Sequence, residues 1–164
     1  MEIERKWLVS LSKIPYDLSK YEHHALKQAY VSFSPTIRIR EFDGGKQYIL
    51  TVKSHPDGLK HASLQREEYE IPISKSEYES LLKKVSGNIV SKTRYIIPVD
   101  GGLVQELDVF DGYLEGLCLM EIEFPNVESA LSFESPYWVD KDVTDKHKYK
   151  NSALSQIDSI KDIS

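Results

Sequence analysis

The first nine residues, MEIERKWLV, put Glu2, Glu4 and Lys6 on one side of an extended chain and Ile3, Trp7 and Val9 on the other, because successive strand side chains point to opposite faces. The same period-two pattern returns in eight runs, at residues 2–9, 25–33, 36–42, 47–54, 63–72, 89–98, 103–110 and 117–124. No other feature limits the fold as strongly. Between the runs fall SP (34–35), DGG (43–45), HPDG (55–58) and a second DGG (100–102), where glycine supplies positive φ and proline presets a turn. Connections this short join antiparallel neighbours.

An antiparallel sheet with one wet face shows similar alternation, so the type of polar residue carries the argument. Apart from Gln28, Tyr30, Ser32 and Thr51, the polar face is charged and sorted by sign. Eight acids share it: Glu2, Glu4, Glu68, Glu70, Glu106, Asp108, Glu121 and Glu123. Seven bases do too: Lys6, Arg38, Arg40, Lys53, Arg66, Lys92 and Arg94. Like charges at i and i+2 lie about 7 Å apart on one face and repel unless an opposite charge intervenes. Divalent cations between the carboxylates and a polyanion among the Arg and Lys would relieve that repulsion. Mg²⁺ and Mn²⁺ prefer oxygen ligands shared with phosphates, and Arg forks grip phosphate in pairs of hydrogen bonds. Eight strands suffice to close a barrel just wide enough for side chains or one small ligand, leaving no open edge. The expected fold is mainly β with some α (α+β): a closed eight-stranded antiparallel barrel, charged inside, with helices packed on an apolar outside.

Residues 74–85, SKSEYESLLKKV, predict a helix with Ser74 and Glu77 as a capping box and Tyr78, Leu81, Leu82 and Val85 on one face. Shorter helices are expected at 15–21 and 127–133, and a C-terminal one at about 144–157. With 164 residues and 40% apolar content the chain fits a single domain over 1–164. A net charge of −5 argues against nucleic-acid or anionic-membrane partners, and no run is long and apolar enough for a membrane span or signal segment. The expected location is cytoplasmic. The lone Cys118, between Leu117 and Leu119, reads as a buried thiol. His23, His24, His55 and His61 lack metal-ligand spacing and read as surface residues, and DGGK at 43–46 lacks the P-loop frame.

Taken in order, E-x-E-x-K (2–6), Q-x-Y (28–30), PTIRIR (35–40), LTVKS (50–54), REEYEI (66–71), KTRYIIP (92–98), ELDVF (106–110) and EIEF (121–124) resemble the CYTH domain, the triphosphate tunnel metalloenzymes. The resemblance implies a tunnel binding a triphosphate and one or two Mg²⁺ or Mn²⁺ ions. It implies phosphate contacts from Lys6, Arg38, Arg40, Lys53, Arg66, Lys92 and Arg94, and metal ligation by Glu2, Glu4, Glu68, Glu70, Asp108, Glu121 and Glu123, with Lys6, Tyr30 and Lys92 as catalytic groups. DVTDKHKYKNSALS (142–155) is similar to the family's V-T…Y-x-N segment closing one tunnel end, with Lys148 in place of an arginine toward phosphate. The implied activity is hydrolysis of inorganic triphosphate, with ATP or GTP as further substrates. An adenylate cyclase and a non-catalytic polyphosphate-binding module are the alternatives.

Overall fold

The computed structural model describes residues 1–54 and 64–163. The HPDG turn, His55, His61 and the first residue of the fifth expected strand lie outside the described residues. Eight antiparallel strands, β1 (Glu2–Leu8), β2 (Glu22–Phe33), β3 (Thr36–Phe42), β4 (Gln47–Ser54), β5 (Gln65–Ile73), β6 (Ser86–Pro98), β7 (Val104–Phe110) and β8 (Cys118–Glu123), run around the barrel as β5-β4-β3-β2-β6-β7-β8-β1. The ring closes where β1 meets β5, with Glu2 opposite Arg66 and Ile3 opposite Gln65. A short ninth strand, β9 (Lys141–Asp142), pairs with the far end of β1. β2 and β6 each start three residues before the expected boundary: Glu22–Ala25 are held by register with Thr93–Ile96 although their own side chains are mostly polar, and Ser86 is held opposite Tyr30.

The outward face is apolar, as the alternation requires. Around β1, β7 and β8 the buried set includes Ile3, Trp7, Leu107, Met120 and Ile122, covered by Ala130 and Trp138 from the chain after β8. Each such side chain contributes about 1.5–3 kcal/mol by leaving water. Helix α1 (Lys75–Leu82) covers Ala29, Ile39 and Tyr48 with Tyr78, Leu81 and Leu82. Its capping box forms as expected: Glu77 N donates to Ser74 Oγ at 3.1 Å and Ser74 N to Glu77 Oε1 at 2.9 Å. Helix α2 (Val127–Ser132) lies within one residue of its expected range, capped by Asn126. Cover is incomplete, since Tyr69 and Ile71 on the outer face of β5 are 65% and 55% exposed. Cys118 is buried, and burial pushes its thiol up to about 12.

Two expected helices are corrected. Over 15–21 only a single 3₁₀ turn forms, Leu18–Lys20, since Ile14, Tyr16 and Leu18 all pack against the barrel at a spacing of two rather than helical spacing. Over 144–157 there is a 3₁₀ turn at His147–Tyr149, an extended Lys150 (φ −70°, ψ 141°), and then only helix α3 (Asn151–Leu154). Val143, Tyr149 and Leu154 enter one apolar cluster from positions five and six residues apart, which no continuous helix allows. That cluster fills one end of the barrel, where Val90, Phe110 and Leu119 occupy the inward parity of their strands with Leu8 packed beside them. The inside is therefore charged above an apolar floor.

Candidate active site

Above the floor lies a cavity of about 410 Å³. The strand ends away from the floor, including Glu2, Glu22, Ile96, Glu106 and Glu123, rim its mouth. Its wall divides along the circumference. Four consecutive strands, β7, β8, β1 and β5, carry Glu106, Glu121, Glu123, Glu2, Glu4, Glu68 and Glu70 into it; of the other four, β4, β3 and β6 carry Lys53, Arg38, Arg40 and Arg94, while β2 brings His24 and, at the mouth, the acid Glu22. Lys6 and Arg66 are the cations set within the acidic half, paired with Glu121 at 3.2 Å and Glu4 at 3.1 Å. The halves are stitched at both seams. Arg40 Nη2 meets Glu70 Oε1 at 2.7 Å and Lys53 Nζ meets Glu2 Oε1 at 2.8 Å; across the barrel, Arg94 Nη1 meets Glu106 Oε2 at 2.7 Å.

Single groups in each half remain incompletely compensated. Burial, then the Glu121 carboxylate beside it, pushes Glu4 up to about 7. Burial and hydrogen bonds shared with Glu2 and Glu70 raise Glu68, while Glu2, though burial opposes it, is held low by Glu68 and Lys53, so this pair shares a proton. In the basic half, burial, then Arg38 and Arg94, lowers Arg40 to about 10. The buried Nε groups of Arg38 and Arg40 find no hydrogen-bond partner among the described residues. An anion laid against β3 and hard cations against the carboxylates would relieve both halves. The donors facing the acidic half are carboxylate oxygens, suited to Mg²⁺ or Mn²⁺. Among the described residues no three His, Cys, Asp or Glu side chains form a ready metal cage. A cation held by one or two carboxylates and completed by phosphate oxygens and water needs none.

Thus Glu2, Glu4, Lys6, Tyr30, Arg38, Arg40, Lys53, Arg66, Glu68, Glu70, Arg94, Glu121 and Glu123 are brought together, as the sequence pattern anticipates. Tyr30 is 2% exposed, accepts a hydrogen bond from Gln28 Nε2 at 2.9 Å, and has its phenol pKa raised by burial, which leaves it a proton donor. Three expected residues are not in the cavity wall. Asp108 lies under it, with Oδ1 taking Arg94 Nε at 2.7 Å and Oδ2 taking Lys92 Nζ at 2.7 Å and Arg94 Nη2 at 2.9 Å. Both of its oxygens are thus taken by cationic donors. Lys92 is held by Asp108 Oδ2 and by Asn151 Oδ1 at 3.1 Å, beneath the cavity. Lys148 lies over the Tyr149 ring, 5.5 Å from its centroid, and Lys150 enters the cavity in its place. Lys150 is the central residue of the Y-x-N triplet, so the same segment reaches the cavity through a different lysine. His24 and Glu22 also line the mouth, made inward by the early start of β2.

The CYTH domain matches residues 1–135. The chain is 39% identical over 158 residues to an inorganic triphosphatase of Nitrosomonas europaea, covering 94% of this chain and 96% of that protein. It is 34% identical over 155 residues to an inorganic triphosphatase of Acetivibrio thermocellus, covering 93% and 92%. A crystal structure of an inorganic triphosphatase superposes with a TM-score of 0.67 at 34% identity over 97% of each chain. With a charged tunnel of the same topology and a family match over most of its length, the chain belongs to the CYTH domain family.

Proposed function

We propose that this protein is a divalent-metal-dependent hydrolase of inorganic triphosphate that also takes nucleoside triphosphates. The division of the lumen into an acidic and a basic half is the observation that carries this reading. Phosphoryl transfer is mostly positioning and charge neutralisation. Arg38, Arg40, Lys53 and Arg94 would line the phosphates along one wall, their forks fixing the chain's direction. Lys6, Arg66 and Lys150 would neutralise it from the opposite wall and the floor. The Tyr30 phenol would donate a hydrogen bond to a phosphoryl oxygen. Mg²⁺ or Mn²⁺, one or two ions, would be held by carboxylates among Glu2, Glu4, Glu68, Glu70, Glu121 and Glu123. When bound, the metal supplies Lewis-acid stabilisation of the phosphoryl oxygens. The inorganic triphosphatases among its relatives and the divided lumen support this substrate class.

Phosphorus NMR of reactions with tripolyphosphate or ATP and either cation tests the proposal. Orthophosphate with pyrophosphate from tripolyphosphate, and with ADP from ATP, is the expected outcome. Cyclic AMP and pyrophosphate from ATP would mark a cyclase instead, and tightly bound, intact tripolyphosphate a binding module.

A further inference from the structure

His24 belongs to none of the motifs that carry the site, yet it lines the cavity. On the basic side of the barrel β2 is the only strand that supplies no Lys or Arg to the wall; its deeper inward residues are Leu26, Gln28 and Tyr30. At the mouth it presents His24, directly opposite Arg94 in the β2–β6 register, so that an imidazole and a guanidinium face the same space from neighbouring strands. The ring is not free to turn. Its Nδ1 lies 2.7 Å from Asp43 Oδ2 in the β3–β4 turn. Asp43 is fixed in turn: its Oδ1 accepts from Ala25 N at 2.9 Å, its own N–H donates to Ala25 O at 2.8 Å, and its φ of 51° is the only positive value at a non-glycine among the described residues. A carboxylate only accepts, so Nδ1 carries a proton and Nε2 is directed elsewhere. The partner of Nε2 is Glu22 Oε2 at 3.1 Å, on a side chain 68% exposed. Such a partner is readily exchanged for a more highly charged one.

We propose that His24, presented by Asp43, is a further substrate-binding residue, which contacts the outermost phosphate of the chain lying in the lumen. The inference rests on the triphosphatase reading above. In the substrate-free protein Glu22 stands in for that phosphate, and substrate displaces it. The charged groups facing the ring are Asp43, Glu22 and Arg94. The two carboxylates raise the imidazole pKa, Asp43 most, so the ring is charged over more of the neutral range than an ordinary histidine. His24 is thereby a cation whose strength follows pH, beside one that does not.

The test uses the full chain with ¹³C-labelled histidines, His24 being the signal lost in His24→Gln. Its titration is followed with and without saturating tripolyphosphate and Mg²⁺. Bound substrate is expected to raise the His24 midpoint by about one pH unit, which by linkage is about a tenfold gain in affinity for the protonated form. Affinity of His24→Gln should accordingly fall about tenfold below that midpoint and converge on the parent above it. Asp43→Asn, which still tolerates the turn, should move this window to lower pH. Tight tripolyphosphate binding with an unmoved His24 titration overturns the inference and spares the triphosphatase reading. No tripolyphosphate binding at any pH overturns both.

Discussion

Lys92 and Asp108, on the floor of the lumen, are 2.7 Å apart with side chains each 1% exposed, whereas Glu70, which meets Arg40 at the same distance higher up, is 40% exposed. Similar ion pairs thus sit in two different solvents. Below, the carboxylate is sealed among Val90, Phe110 and Leu119 and every oxygen has a cationic donor, so neither partner can be released without stranding a bare charge. Above, the Glu70 carboxylate is open to water, which can replace its partner, although Arg40 itself is 7% exposed. Residues at the floor therefore hold the barrel, and residues in the wall above are free to change partners. A charged lumen can be stable and still bind, because the irreplaceable pairs lie where substrate does not reach.

The largest expected effect breaks the lower pair. Asp108→Asn leaves Lys92 buried without its counter-charge and should lower unfolding stability by about 3–5 kcal/mol, read as a shifted urea midpoint at constant slope. A midpoint within error of the parent would place the two ends on equal terms. The same pair predicts acid sensitivity. Burial opposes ionisation of Asp108, but Arg94 and Lys92 outweigh it and hold the carboxyl below its usual range. A depressed folded pKa gives stability that is complete above the unfolded value, near pH 4, and is lost as pH falls through the folded one.

In the wall, Arg40→Ala should leave stability nearly unchanged and cost about 2–4 kcal/mol of tripolyphosphate binding, measured calorimetrically. The metal requirement should not move. Glu4→Gln, from the acidic half, should do the converse. It should weaken apparent Mg²⁺ or Mn²⁺ affinity by at least about tenfold, with activity partly restored at high Mn²⁺. A Glu4→Gln enzyme with parental metal titration would remove Glu4 from the metal site. Smallest of all is Lys148→Ala, expected within about 0.5 kcal/mol of the parent in stability and indistinguishable in substrate affinity. Lys150→Ala should weaken substrate binding, so the two variants together sharpen where floor ends and site begins.

The sequence made the wall legible because a strand has only two faces: once Glu2, Glu4 and Lys6 share one, the parity of every later charge follows. Even the floor left a trace. Leu8, Val90, Phe110 and Leu119 are apolar residues on the charged parity, a departure that reads as noise until they gather at one end. Parity is silent about depth, and depth separates Asp108 from Glu106, or Lys92 from Arg94. The C-terminal segment was harder still. Its contacts are set by Val143, Tyr149 and Leu154 finding the open end of the barrel, and neither helical nor strand period describes such a path. His24 was passed over because motif spacing looks for histidine partners nearby in sequence, while Asp43 comes to it across a strand pair.

One joint of the barrel differs from the rest. Among the described residues, two pairs are in register between β1 and β5, against five to eight at each of the other seven joints. The fold is thus a split ring with a clasp, and side chains do much of the fastening: Lys53 to Glu2, and Arg66 to Glu4. A polyanion and its cations, gripping groups on both sides of that gap, would act as the pin of the clasp. On the proposed reading, cargo and closure would be one mechanical event, the loaded ring stiffer than the empty one and slackening as product leaves.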